Sequence, residues 1–124
     1  MVDKNLDEAK ALFNEGIKFL KQENLDSAES KFRQSLNLSP GRLSIIHNLI
    51  SIYIKTQQND KLNLLLEKNE NLSKEKEILY GKAFSFYFEN KYEQSINICK
   101  KIIQFDQFKF SIQDLLASNF KQQK

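Results

Sequence analysis

Chemistry needs reactive side chains, and this sequence offers few. His47 is the only histidine and Cys99 the only cysteine among 124 residues. A general base needs a positioned partner group, so a solitary His47 does not make a catalytic site. Cys99 falls on an apolar helical stripe, where a thiol is expected to be buried and inert; reactive thiols need an electropositive, accessible setting. The sequence contains no glycine-rich phosphate loop and no zinc-ligand spacing of Cys and His. It therefore predicts no catalytic residue, no metal site and no cofactor, and the chain is not read as an enzyme.

The totals narrow the remaining classes. With 19 basic and 16 acidic side chains the formal net charge is only +3. Both signs are interspersed, as in "KEKE" from Lys74 to Glu77. A nucleic-acid binder concentrates its basic charge on one face or in one arm, so no nucleic-acid partner is expected. Three glycines and one proline leave little turn chemistry, which disfavours an all-β fold. One cysteine allows no internal disulfide and suits a reducing compartment. The opening "MVDKNLDEAK" is too polar for a secretory signal, and no apolar run reaches the roughly 18 residues of a membrane span. The expectation is a soluble, cytoplasmic protein with no membrane partner.

The elements that would position any site are helices. From Leu6 to Leu20 the apolar residues recur at steps of three and four, the helical period. Asp7 and Glu8 fall in its first turn, where negative charge suits the helix dipole. "KQEN" breaks the pattern. A second amphipathic helix runs from Leu25 to Leu38 and stops at Pro40, because Ser39 before a proline disfavours helical geometry. The pattern then runs again. Leu43 to Ile54 form a third helix, "KTQQND" a break, and Leu62 to Leu66 the heart of a shorter fourth. After "KNENLSKEK" come a fifth helix from Ile78 to Phe88, the break "ENK", and a sixth from Tyr92 to Ile103. "SIQDLLASNFKQQK" supplies a seventh, with Ile112, Leu115, Leu116 and Phe120 on one side.

Six of these helices form three pairs. The turns at Glu23, Gln57 and Asn90 lie 34 and then 33 residues apart. The tripeptide Asn-Leu-Ser at Asn37 returns at Asn71, again 34 residues on. A period of this length points to a stacked helical array, in which each pair buries its apolar face against its neighbours. The seventh helix would cover the end of the stack.

The first pair places Leu12, Gly16 and Phe19 on one helix and Ala28, Phe32 and Ser35 on the next, with Pro40 closing it. In this the chain resembles the tetratricopeptide repeat. Gly16 and Ala28 are small where antiparallel helices would approach most closely; Leu12, Phe19 and Phe32 would fill the space between pairs. The third pair follows with Leu79, Ala83 and Phe86, then Ser95, Cys99 and Ile102. The second departs, with Ile50 and Leu62 where small residues are expected. Two large side chains at a close contact force helices apart, so this pair is expected to be splayed, with a short or bent helix between Asp60 and Asn69. The resemblance implies an all-α fold. It would be a right-handed superhelix of about three pairs (residues 9–42, 43–75 and 76–109) with a capping helix over 110–122, all in one domain.

The resemblance also implies a function. The first helices of successive pairs would line a concave surface that binds a peptide or helical segment of another protein. The positions that would line it include Lys10, Phe13, Asn14 and Ile17, then Ser44, His47, Asn48 and Ser51, then Tyr80, Phe84 and Tyr87. Some relatives grip an acidic chaperone tail there with a clamp of Lys, Asn and Arg. Here Asn48 matches one clamp position, but Phe13, Ile17, Tyr80 and Phe84 stand at four others and cannot hold a carboxylate. An apolar groove with aromatic anchors is the expectation instead. The same aromatics are open to a second reading, as packing between helices or under the last one. Two further functions stay open: self-association through Phe105, Phe108, Phe110 and Phe120, and service as the repeat module of a larger enzyme such as a glycosyltransferase or methyltransferase.

Overall fold

A computed structural model describes residues 4–105 and 109–123. Among them are seven α-helices and no strand: α1 (Lys4–Lys21), α2 (Leu25–Leu38), α3 (Leu43–Lys55), α4 (Asn59–Lys68), α5 (Lys76–Phe88), α6 (Tyr92–Ile102) and α7 (Lys109–Gln122). A short 3-10 turn, Glu70–Leu72, separates α4 from α5. None of these helices is long and apolar enough to cross a membrane. Phe108 lies outside the described residues, as does the side chain of Phe110.

The three turns expected at Glu23, Gln57 and Asn90 are the same turn. Each of these residues has a left-handed backbone, with φ of 59°, 55° and 63°. The hydrogen bonds repeat as well. Glu23, Gln57 and Asn90 donate their N–H groups to the carbonyls of Leu20, Ile54 and Tyr87, at 3.0, 3.1 and 3.0 Å. Asn24, Gln58 and Lys91 donate to Phe19, Tyr53 and Phe86, at 2.9, 2.9 and 2.8 Å. Such paired bonds around a left-handed residue satisfy the orphan carbonyls of a helix end. The carbonyls of Asn24, Gln58 and Lys91 then accept the first bonds of α2, α4 and α6, from Ala28, Leu62 and Ser95. Asn24 also caps α2 through its side-chain oxygen, which accepts from the Ser27 N–H.

The chain forms two compact units, Met1–Ile52 and Tyr53–Lys124. In the first, α1 and α2 meet at Gly16. A Cβ built there would lie 2.7 Å from the Phe32 ring, so the ring occupies the volume a side chain would need. Phe32 is fully buried and also stacks at a tilt on Phe13, centroids 5.6 Å apart. Its ring thus fills the inside of the first pair rather than only the space beyond it. Ala28 is fully buried, and the buried Ser35 hydroxyl donates to the Ala9 carbonyl at 2.7 Å, tying α2 to α1. α3 is apolar around most of its circumference, and Ile45, Ile46, Leu49, Ile50 and Ile52 are all buried.

In the second unit α4 is, at ten residues, the shortest of the described α-helices, and it is capped by the buried Asn69, whose amide donates to the Leu65 carbonyl. Asn63 on α4 receives the Ser85 hydroxyl of α5. α5 and α6 meet where Ala83 and Ser95 are both fully buried, and the Ser95 hydroxyl donates to the Ala83 carbonyl at 2.7 Å. α7 packs on α6 through Ile112, Leu115 and Asn119. The Asn119 amide donates to the Ser95 hydroxyl at 2.9 Å and to the Leu115 carbonyl at 3.0 Å. One serine therefore joins three helices.

Candidate functional site

Phe13, Ile17, His47, Asn48 and Ser51 belong to the first unit, and Tyr80, Phe84 and Tyr87 to the second. In the first unit all five are half-buried. Phe13 spends part of its ring on Phe32, and Asn48 returns its amide to the Ser44 carbonyl one turn back, at 2.8 Å. Asn48 thus bonds within its own helix.

A cleft of about 210 Å³ opens in the same unit. Its apolar floor is Leu6, Ala9, Phe13 and Ile45, from α1 and α3. Its polar rim is Lys10 and Asn14 on α1, then Ser39, Arg42 and Ser44 around the start of α3. The turn that sets this rim follows from sequence. Ser39 takes an extended-side backbone before Pro40, and Gly41 turns the chain at φ +78°, a conformation suited to glycine. The Arg42 carbonyl then accepts from Ile46 to open α3, and its guanidinium donates from Nε to the Ser39 hydroxyl at 3.0 Å. Lys10, Phe13, Asn14 and Ser44 are four residues that the helical spacing places on first-helix faces. Ser39 and Arg42 were not expected, because they lie in a loop where periodicity has nothing to report.

In the second unit the aromatics of α5 form a connected run. Tyr80 meets Phe84 edge-on at 5.2 Å, Phe84 meets Phe88 at 6.2 Å, and Phe88 meets Tyr87 at 6.0 Å. Tyr87 continues the run to Tyr92 of α6 at 5.7 Å. Spacings of four along one helix bring such rings together, and tilted or edge-on contacts suit their quadrupoles. Tyr80 is buried, whereas Phe84, Tyr87 and Phe88 remain half-buried. The run is thus core at one end and partly accessible at the other.

Beside it, Glu89 collects the amides of Asn63 at 2.8 Å and Asn59 at 3.3 Å and the ammonium of Lys91 at 3.4 Å. The Asn63 hydrogen bond, with help from Lys91 and Asn59, holds this carboxyl below its usual range. Cys99 is fully buried, and burial pushes its thiol up to about 11 against a smaller opposing effect of the Ser95 hydrogen bond. It stays protonated at neutral pH and is a poor nucleophile there. Among the described residues no three His, Cys, Asp or Glu side chains gather as a metal site.

Comparison with known proteins finds no family model that matches this chain and no curated protein similar to it in sequence.

Proposed function

We propose that this is a helical-repeat interaction protein of the tetratricopeptide type, a right-handed superhelix of three helix pairs and a capping helix. It would bind a peptide or helical segment of another protein on the faces of α1, α3 and α5. The observation that carries the proposal is the recurrence of one left-handed turn, bond for bond, at Glu23, Gln57 and Asn90. Repeats that share a turn present equivalent helix faces at regular intervals, which is how arrays of this type build extended binding surfaces. The partly accessible rings of Phe84 and Tyr87 supply the anchors. The reading includes no catalytic step, no nucleic-acid or membrane partner and a cytoplasmic setting.

A second reading is self-association. Phe120 is 52% exposed and Phe105 38% exposed, although α7 is pinned to α6 through Asn119 and Ser95. Light scattering across a concentration series, on the wild type and on Phe84→Glu, separates the two. The proposal expects a monomer in both, with Phe84→Glu retaining its helical circular dichroism and losing a partner that the wild type captures. A wild-type dimer that Phe84→Glu dissociates would make the chain its own partner and replace the first reading with the second.

A further inference from the structure

We infer that the cleft of the first unit selects an acidic side chain lying next to a bulky apolar one in the bound peptide. The inference rests on the peptide-binding reading above and gives that partner a chemistry. Three sources of positive charge meet at this cleft. Lys10 and Arg42 are both exposed on its rim, and among the described residues neither pairs with a carboxylate. Arg42 spends one N–H on Ser39 and keeps the others available. The third source is the N-terminus of α3, which begins at Leu43 beside this rim and carries no acidic residue in its first turn. A helix start without an acid leaves its partial positive charge unneutralised, although the Ile45 N–H is already bonded to the Arg42 carbonyl at 3.1 Å.

Among the described residues no acidic side chain lines the cleft. The hydroxyls of Ser39 and Ser44 and the Asn14 amide add hydrogen-bonding groups around the same opening. The floor is different in kind. Leu6, Phe13, Ala9 and Ile45 offer only hydrocarbon, and about 210 Å³ accommodates a side chain rather than a whole helix. A ligand matched to both parts puts an apolar group on the floor and a carboxylate at the rim. Two adjacent residues of an extended peptide, one aromatic or branched and one aspartate or glutamate, do this. The site shares Phe13 with the clamp positions, but its charge comes from Lys10 and Arg42 and not from Phe13, Ile17, Tyr80 or Phe84, whose side chains cannot hold a carboxylate.

The test uses three fluorescein-labelled synthetic peptides, the first two with both ends blocked. One carries aspartate beside phenylalanine and one carries asparagine in its place; a third has the asparagine and a free C-terminal carboxylate. Binding is followed by anisotropy, and its location by amide NMR shifts. The aspartate peptide is expected to bind about fivefold more tightly than the asparagine peptide and to shift Lys10, Asn14, Arg42 and Ser44. The preference is expected to shrink between about 50 mM and about 500 mM salt. In Lys10→Glu/Arg42→Glu it is expected to vanish, and a lysine-bearing peptide to bind that variant best.

Equal binding of the aspartate and asparagine peptides at these residues would overturn the inference and leave the peptide-binding reading standing. Absence of binding by every peptide would remove both. A preference for the free C-terminus over the internal aspartate would overturn the side-chain assignment in favour of a terminal carboxylate. Circular dichroism of the charge-reversed variant, whose two changes are exposed, checks that it folds.

Discussion

The first and third helix pairs solve one packing problem by different means. α1 approaches α2 by having no side chain at Gly16, and the Phe32 ring fills the space so created. α5 approaches α6 with an alanine and a serine, and the Ser95 hydroxyl bonds the Ala83 backbone across the contact. The first contact is set by shape and lies within two helices, with the Ser35 hydroxyl bonding the Ala9 carbonyl elsewhere along the same pair. The second buries a hydroxyl, and that hydroxyl also accepts from Asn119 of α7. A buried polar group is costly unless bonded, so the third pair draws its capping helix into its own core. The difference shows two ways of closing the contact between paired helices: a missing side chain filled by a ring in one, a buried hydroxyl shared with a third helix in the other.

The comparison can be broken most forcefully at Phe32. Phe32→Ala should cost about 3–5 kcal/mol in urea unfolding followed by circular dichroism, as expected for an aromatic lost from a close-packed site. Gly16→Ala should cost about 1–3 kcal/mol by overpacking, even though alanine favours the helix. Combined with Phe32→Leu, the Gly16→Ala penalty should shrink, because a smaller side chain yields the contested volume. A Gly16→Ala protein as stable as the wild type would show that the ring moves freely and that shape does not govern this pair.

In the third pair Ser95→Ala should cost about 1–3 kcal/mol, since the buried Asn119 amide loses its hydroxyl acceptor. Adding Asn119→Leu should recover part of that loss, because an apolar pair of similar volume leaves nothing unbonded. Strict additivity of the two changes in a double-mutant cycle would mean that serine and asparagine act independently, and the contrast with the first pair would weaken.

The shared turns provide a finer test. Glu23→Gly and Gln57→Gly should each alter stability by at most about 1 kcal/mol, in the stabilising direction, because glycine adopts the left-handed region without strain. Asn90→Gly should gain less. Asparagine already tolerates this conformation, and its side-chain oxygen accepts the Tyr92 hydroxyl at 2.7 Å. A larger gain at Asn90 than at Glu23 would show that the three turns differ in strain despite their common bonds.

The smallest expected effect is acidic. Glu89 titrates below its usual range in the folded chain, so its favourable contribution is present above the unfolded carboxyl pKa. It is lost as pH falls through the lower folded value. Because Glu89 is exposed, the effect should stay within about 1 kcal/mol, and Glu89→Gln should flatten the acid limb of a stability–pH profile. An unchanged limb would assign that pH dependence to other carboxylates.

Much of this architecture was readable in the sequence because helices announce themselves through apolar period and polar breaks. α2 runs from Leu25 to Leu38 as the spacing predicts, and the breaks at Glu23, Gln57 and Asn90 fall on the left-handed residues themselves. The tight contact at Gly16 was also readable, since a glycine inside a helical pattern implies close approach. What escaped were bonds between residues far apart in the chain. Neither Ser35 to Ala9 nor Asn119 to Ser95 leaves a periodic trace, because each depends on which helix lies opposite. The candidate cleft divides in the same way. Lys10, Phe13, Asn14 and Ser44 follow from helical faces, while Ser39 and Arg42 reach it through a proline–glycine corner whose path only tertiary structure reveals.

The left-handed corners have one more consequence. Glu23 and Gln57 hold their side chains in water while their backbones are fixed by hydrogen bonds to the preceding helix. Identity of the side chain and conformation of the chain are therefore separable at these tips. A cysteine placed at either one offers an attachment point for a spectroscopic probe, with the native thiol shielded in the core at Cys99. Two such probes would make the distance between the two corners directly measurable.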